Sequence, residues 1–97
     1  MTKADIVNEI STKTGLTKIE TEVVINSLVT SISDSLMRGE RVDIRGFGSF
    51  YIKKRDAREA RNPATNQIIK LSERFVPFFK VSKLLKDKVN KTLLRGF

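Results

Sequence analysis

The sequence predicts an α+β chain: two helices, three antiparallel strands of which two continue into a long basic ribbon, and a last helix. Three observations lead there. Apolar residues recur at helical spacing over residues 6–36 and again over 84–93; they alternate with polar residues between; and Gly, Asn and Pro punctuate the chain at 15, 39, 46, 48 and 62–66.

Thr2 and Asp5 have the spacing of a capping box, with Asp where Glu or Gln is usual. Ile6, Val7, Ile10 and Thr14 mark one face of the helix that follows, and Gly15 stops it. Thr17 and Glu20 repeat the start signal. Ile19, Val23, Val24, Leu28, Ile32 and Leu36 then form a helical stripe that Gly39 closes. Ile25 and Val29 lie off that stripe, so this helix must be covered on more than one side. A chain of 97 residues has little material to do so alone, which points to a partner subunit.

After Gly39 the period changes to two. Val42 and Ile44 alternate with Arg41, Asp43 and Arg45, as in a short strand. Arg45-Gly46-Phe47-Gly48 reads as a turn in which both glycines allow backbone angles that other residues avoid. A second strand runs from Ser49 to Arg55, with Phe50 and Ile52 facing one way. Residues 62–66 (Asn-Pro-Ala-Thr-Asn) form a turn by composition. Ile68 to Leu71 and Phe75 to Lys80 return from it, and Pro77 marks an edge or a bulge. Ser82 caps a last helix carrying Leu84, Leu85, Val89 and Leu93. The helices and the residues Phe47, Phe50, Phe75, Phe78 and Phe79 are the expected core. Leu28, Ile32, Leu36, Phe47, Phe50 and Phe79 are assigned to the core or to a subunit interface.

The charge is unevenly spread. Residues 1–52 carry 6 Lys and Arg against 7 Asp and Glu; residues 53–80 carry 8 against 3; residues 81–97 carry 5 against 1. The whole excess of +8 therefore lies in the ribbon and the C-terminal segment. The ribbon has too little apolar surface for a core of its own, so its partner is expected to be a polyanion. Arg55, Arg58 and Arg61 are spaced by three and do not share one face of a flat strand, as expected of an arm lying in a groove. The last helix presents Lys83, Lys86, Lys88 and Lys91, a pattern equally usual on a solvated helix face.

Other chemistries have little material. Without Cys there are no disulfides and no thiolate metal sites, and without His the commonest general base is missing. No cofactor is implied. The acids are scattered among Lys and Arg, and Asp56 with Glu59 is poor support for a metal-dependent nuclease. No apolar run is long enough to span a membrane, and the N-terminus is a charged amphipathic pattern rather than a signal peptide. A soluble protein of the cytoplasm is expected.

The segment Arg45 to Phe50 (RGFGSF), then Arg61-Asn62-Pro63, then Pro77 to Asn90, in this order and spacing, resembles the bacterial HU and integration host factor family of DNA-bending, histone-like proteins. The resemblance runs without an apparent gap from Thr2 to about Asn90. It implies a single domain over residues 1–97: a helical dimerisation body at 1–39, a sheet and arm at 40–81 with the tip near 61–66, and a C-terminal helix with a short tail at 82–97. It also implies an intertwined homodimer or heterodimer that condenses DNA in the nucleoid, its arms lying in the minor groove and an arm proline kinking the duplex. Carried over, Pro63 is the intercalating wedge, with Arg61 and Asn62 beside it. Lys53, Arg55, Arg58, Lys70 and Arg74 line the arm, and Lys3, Arg45, Gly46, Lys80, Lys83 and Lys86 contact phosphate from the body. Ala60, Asn66 and Ser82 stand where the family commonly has Gly; Asn66 can still adopt a positive φ.

Three other readings remain beside general bending. One is site-specific recognition in the manner of integration host factor. Another is RNA binding, which needs an aromatic platform for which Tyr51 is the only candidate. The third is a repressor, which needs a polar, basic recognition helix; the helix from Lys18 to Arg38 is apolar along its length.

Overall fold

The structure is a computed structural model that describes residues 1–96. The order is α1 (Lys3–Thr14), α2 (Lys18–Met37), β1 (Val42–Ile44), β2 (Gly48–Arg55), β3 (Arg58–Arg61), β4 (Ile68–Leu71), β5 (Arg74–Val81) and α3 (Lys83–Gly96). The chain forms two compact units, Met1–Ser35 and the remainder from Leu36.

In the first unit, both start signals are formed. The Thr2 backbone N–H donates to Asp5 Oδ2 at 2.8 Å, and the Asp5 N–H donates to Thr2 Oγ1 at 3.3 Å. Two of the N–H groups that a helix start leaves unpaired are thus satisfied. The Thr2 N–H, and then its hydroxyl, hold the Asp5 carboxyl below the ordinary carboxylate range. Gly15 ends α1 at φ 77°, a left-handed conformation open to glycine at no steric cost. The Glu20 N–H donates to Thr17 Oγ1 at 3.1 Å, which caps α2. Val7 and Thr21 are buried, and Thr21 returns its hydroxyl to the Thr17 carbonyl at 2.8 Å.

In the second unit, β1, β2 and β5 form an antiparallel sheet in that order. Pro77 pairs with Ile52 on β5, an edge strand, which is where a residue without an N–H is tolerated. The pairing has no offset there, so the alternative of a bulge does not hold. β3 and β4 form a separate two-stranded ladder, the outer ribbon. The return from the tip comes in the two pieces expected, β4 and β5, and β3 is a further segment that the sequence reading did not give. The Ser82 hydroxyl accepts from the Leu85 N–H at 3.1 Å and caps α3. The expected short tail is helical through Gly96, and Phe97 lies outside the described residues.

One expectation about the glycines is corrected. Gly46 takes φ 82°, as the turn demands. Gly48 is a strand residue whose requirement is space: a Cβ there would lie 2.5 Å from the Lys80 carbonyl oxygen and 2.5 Å from Phe79 Cζ.

The residues assigned to the core or to a subunit interface are only partly covered within one chain. Among the described residues, Val7 is the one buried apolar side chain. Phe47, Phe50 and Phe79 do cluster, with ring centroids 5.0 and 4.7 Å apart. Yet Phe47 and Phe79 stay 45% and 43% exposed, and Leu28 is 54% exposed. Ile32, Leu36 and Phe50 are half-buried. One chain does not cover these residues. No helix among the described residues is long and apolar enough to cross a membrane.

Candidate nucleic-acid interface

Strand periodicity sorts the sheet into two unlike faces. Successive side chains of a strand point to opposite sides, and register carries that alternation across the sheet. The pairs Asp43↔Ser49, Ser49↔Lys80, Tyr51↔Phe78, Lys53↔Val76 and Arg55↔Arg74 fall on one face. Val42↔Phe50, Phe50↔Phe79 and Ile52↔Pro77 fall on the other. One face is thus cationic around a small aromatic centre; the other is apolar, with Lys54 at its far end.

The aromatic centre seats the cations. The Tyr51 and Phe78 rings lie 6.0 Å apart and nearly parallel. Lys53 Nζ stands 5.9 Å from the first ring and 5.2 Å from the second, with the Arg41 guanidinium 5.8 Å from Tyr51 and that of Arg55 5.4 Å from Phe78. Each contact of this kind contributes about 0.5–1 kcal/mol at an exposed site. The sequence reading named Tyr51 alone; its partner Phe78 follows only from the β2–β5 register.

Arg41 was missed as a site residue. It donates from Nε to Asp43 Oδ1 at 2.8 Å, and Ser49 donates its hydroxyl to the same oxygen. The Ser49 hydroxyl and then Arg41 hold the Asp43 carboxyl below its ordinary range. Arg41 also lines a shallow concavity of about 550 Å³ with Arg45, Gly46, Lys80 and Lys83. Four of the six expected body contacts are thereby brought together. Lys86 is not among them; it lines a separate concavity with Val81, Asp87 and Val89. Lys3 belongs to the helical unit, where its Nζ donates to Asn26 Oδ1 at 3.0 Å.

The ribbon carries the remaining candidates. Arg58 pairs with Leu71, Lys70 with Glu59 and Arg61 with Ile68, so Arg58 and Arg61 project from opposite faces of β3. The tip is closed by its own backbone. The Asn62 N–H donates to the Gln67 carbonyl at 2.9 Å and the Asn66 N–H to the Asn62 carbonyl at 2.7 Å. Asn62 Oδ1 accepts from the Ala64 N–H at 2.9 Å, the local bond that suits Asn to turns. Asn66 takes φ 60°, the left-handed conformation expected of it in this turn. Arg61 Nη1 donates to Asn66 Oδ1 at 3.4 Å. Pro63 has no N–H to satisfy and stands exposed.

Among the described residues, ion pairs occupy Lys13, Arg38, Arg41 and Lys54. None occupies Lys53, Arg55, Arg58, Arg61, Lys70, Arg74, Lys80, Lys83 or Lys86. No group of three or more acidic residues that could hold a metal ion occurs among them either.

Known proteins carry the same pattern. A family model described as bacterial DNA-binding protein matches residues 1–90. The HU protein of Clostridium pasteurianum is 42% identical over 91 residues, 94% of this chain and 100% of its own length. The integration host factor subunit beta of Marinobacter nauticus is 42% identical over 98 residues, 100% of both chains. The Anabaena HU of an HU–DNA cocrystal structure is 35% identical, with a TM-score of 0.84 over 92% of this chain and 97% of that one. HU from Thermotoga maritima is 27% identical, with a TM-score of 0.65 over 92% of this chain and 98% of that one. By its family model and by relatives matched along their full length, the chain belongs to the bacterial DNA-binding family of HU and integration host factor.

Proposed function

We propose that this chain is a non-enzymatic architectural protein that binds double-stranded DNA as an intertwined dimer, with itself or with a paralogue, and bends it. Residues 1–39 serve dimerisation, and the sheet and ribbon clasp the duplex with the arms in the minor groove. Pro63 enters between base pairs at the arm tip, flanked by Arg61 and Asn62, and kinks the duplex there. In the cell it organises the bacterial nucleoid from the cytoplasm.

The observation that carries this reading is the tip. An exposed proline, with no donor to desolvate and no rotamers to lose, closes a paired ribbon whose arginines hold no ion-pair partner. Unstacking a base step costs a few kcal/mol, offset by the extra surface that bent DNA can touch. The segregated sheet supports the same reading, since its cationic face suits phosphate and its uncovered apolar face suits a partner subunit. The DNA cocrystal of the Anabaena relative agrees with it.

The test is energy transfer between dyes at the ends of a roughly 35-base-pair duplex, long enough to register a bend, with and without a central nick. Approach of the ends on every sequence, strongest with the nick, is the expected result for a general bender. Approach on only a few sequences would mark a site-specific factor, the reading that the Marinobacter relative favours. Tight binding with no approach of the ends would remove the wedge role of Pro63.

A further inference from the structure

The tip of the ribbon holds two asparagines that use their side chains differently. Asn62 is half-buried, and its Oδ1 accepts from the Ala64 N–H inside the turn. Asn66 is exposed, and its Oδ1 accepts from Arg61 Nη1 at 3.4 Å, a long hydrogen bond between two side chains. Closing the turn does not require that carboxamide. The turn uses the Asn66 N–H, which donates to the Asn62 carbonyl at 2.7 Å, and a φ of 60°, which glycine takes at no steric cost. The backbone of Asn66 thus performs the folding task, and its side chain is left to Arg61.

Chemistry fixes which way the carboxamide faces. A guanidinium carries donors only, so the oxygen of Asn66 faces Arg61 and its Nδ2 faces away. Beyond the hydrogen bond that joins them, Arg61 and Asn66 therefore present donors side by side: the remaining N–H groups of the guanidinium and those of Nδ2. Arg61 is exposed and has no ion-pair partner among the described residues. A free arginine side chain loses much rotamer freedom on binding, and a neighbour that already orients it lowers that cost.

The floor of the minor groove discriminates for such a pair. A·T and T·A show only acceptors there, adenine N3 and thymine O2, whereas G·C adds the guanine N2 amino group, a donor. Adjacent donors find partners on the first floor and are opposed on the second. We propose that Asn66 is a positioning residue for groove reading: it holds Arg61 so that the two side chains together favour a minor-groove floor free of the guanine amino group. This rests on the reading above that the arm tip lies in the minor groove.

The test is binding of the whole protein to two nicked duplexes of one sequence, one with guanine and one with hypoxanthine in its place. The bases differ by the N2 amino group alone, and each duplex is also followed for bending. The parent is expected to bind the hypoxanthine duplex about fivefold more tightly, the lower end of what a base contact discriminates. Any preference that comes from a softer duplex is common to all variants. Asn66→Gly, which keeps the φ that the turn needs, should lose most of the rest. In an Arg61→Gln background the same substitution should change the preference little, because the two side chains act as a unit. A loss as large in that background as in the parent would reflect a disturbed turn and overturn the positioning role. A preference equal in the parent and Asn66→Gly, with the parent bending both duplexes, overturns the inference and leaves the bending reading intact. No preference in the parent overturns it as well. A preference lost in Asn66→Gly, with neither duplex bent by the parent, keeps the inference and removes the bending reading.

Discussion

Two small residues show how differently one side chain can matter. Gly48 is glycine because of what stands across the β2–β5 ladder. The nearest atoms to an added Cβ include a backbone carbonyl, which cannot swing away. Gly48→Ala is expected to cost about 1–3 kcal/mol through overpacking, read as a lower denaturation midpoint. An unchanged midpoint would mean that the strands can part at this rung. Pro63, by contrast, makes no demand on the fold beyond its turn. Pro63→Ala should leave stability nearly unchanged. It should weaken bending of linear duplex more than it weakens binding to DNA already distorted, because the wedge acts on the cost of the kink. Equal loss on both substrates would show that the proline acts through affinity alone.

At the scale of elements, the start of α1 is the feature most open to measurement. Its capping box combines a hydroxyl acceptor with a carboxylate acceptor. Thr2→Ala should cost about 1 kcal/mol, the usual value of such a cap. The Asp5 share depends on pH. Its folded-state pKa lies below the unfolded value, so its contribution is complete above the ordinary carboxylate range. It is lost as pH falls through the lowered folded value. Denaturation curves for Asp5→Asn and the parent should therefore differ at neutral pH and converge in acid. A difference that persisted below the folded pKa would assign the effect to packing instead. The sheet illustrates the opposite dependence on context. β1 and β2 were readable from alternation, but the stack of Phe78 on Tyr51 needed the register.

For the whole molecule, the deciding observation is how little one chain buries. Leu28, Phe47 and Phe79 remain about half exposed beside a single buried apolar side chain among the described residues. Large apolar side chains left exposed in each unit are the surface that a partner subunit would cover. If two chains complete one core, folding and association are one equilibrium, and stability then depends on protein concentration. Each tenfold dilution should remove about 1.4 kcal/mol, seen as a falling midpoint in thermal or denaturant melts. Midpoints independent of concentration would mean that the chain folds alone and that its apolar face has another use.

By itself, the sequence determined the three helices with their starts and stops, the order of helix and strand, and where the charge lies. Those signals are local: Thr2 with Asp5, Gly15, the change of period after Gly39 and the cation-rich stretch from Lys53 each act within a turn or two of chain. The order of its motifs also sufficed to recognise the family. Tertiary structure decided which side chains meet. It separated the two glycines of one turn into a backbone role and a packing role. It gathered Arg41, Arg45, Lys80 and Lys83 around one concavity and sent Lys86 to another. It ended the sheet ladder at Arg55 and paired a further segment, Arg58–Arg61, beyond it. The physical reason is register: the partner of a strand residue is set by the pairing of distant segments, and the charges opposed there are neighbours in space but not in sequence.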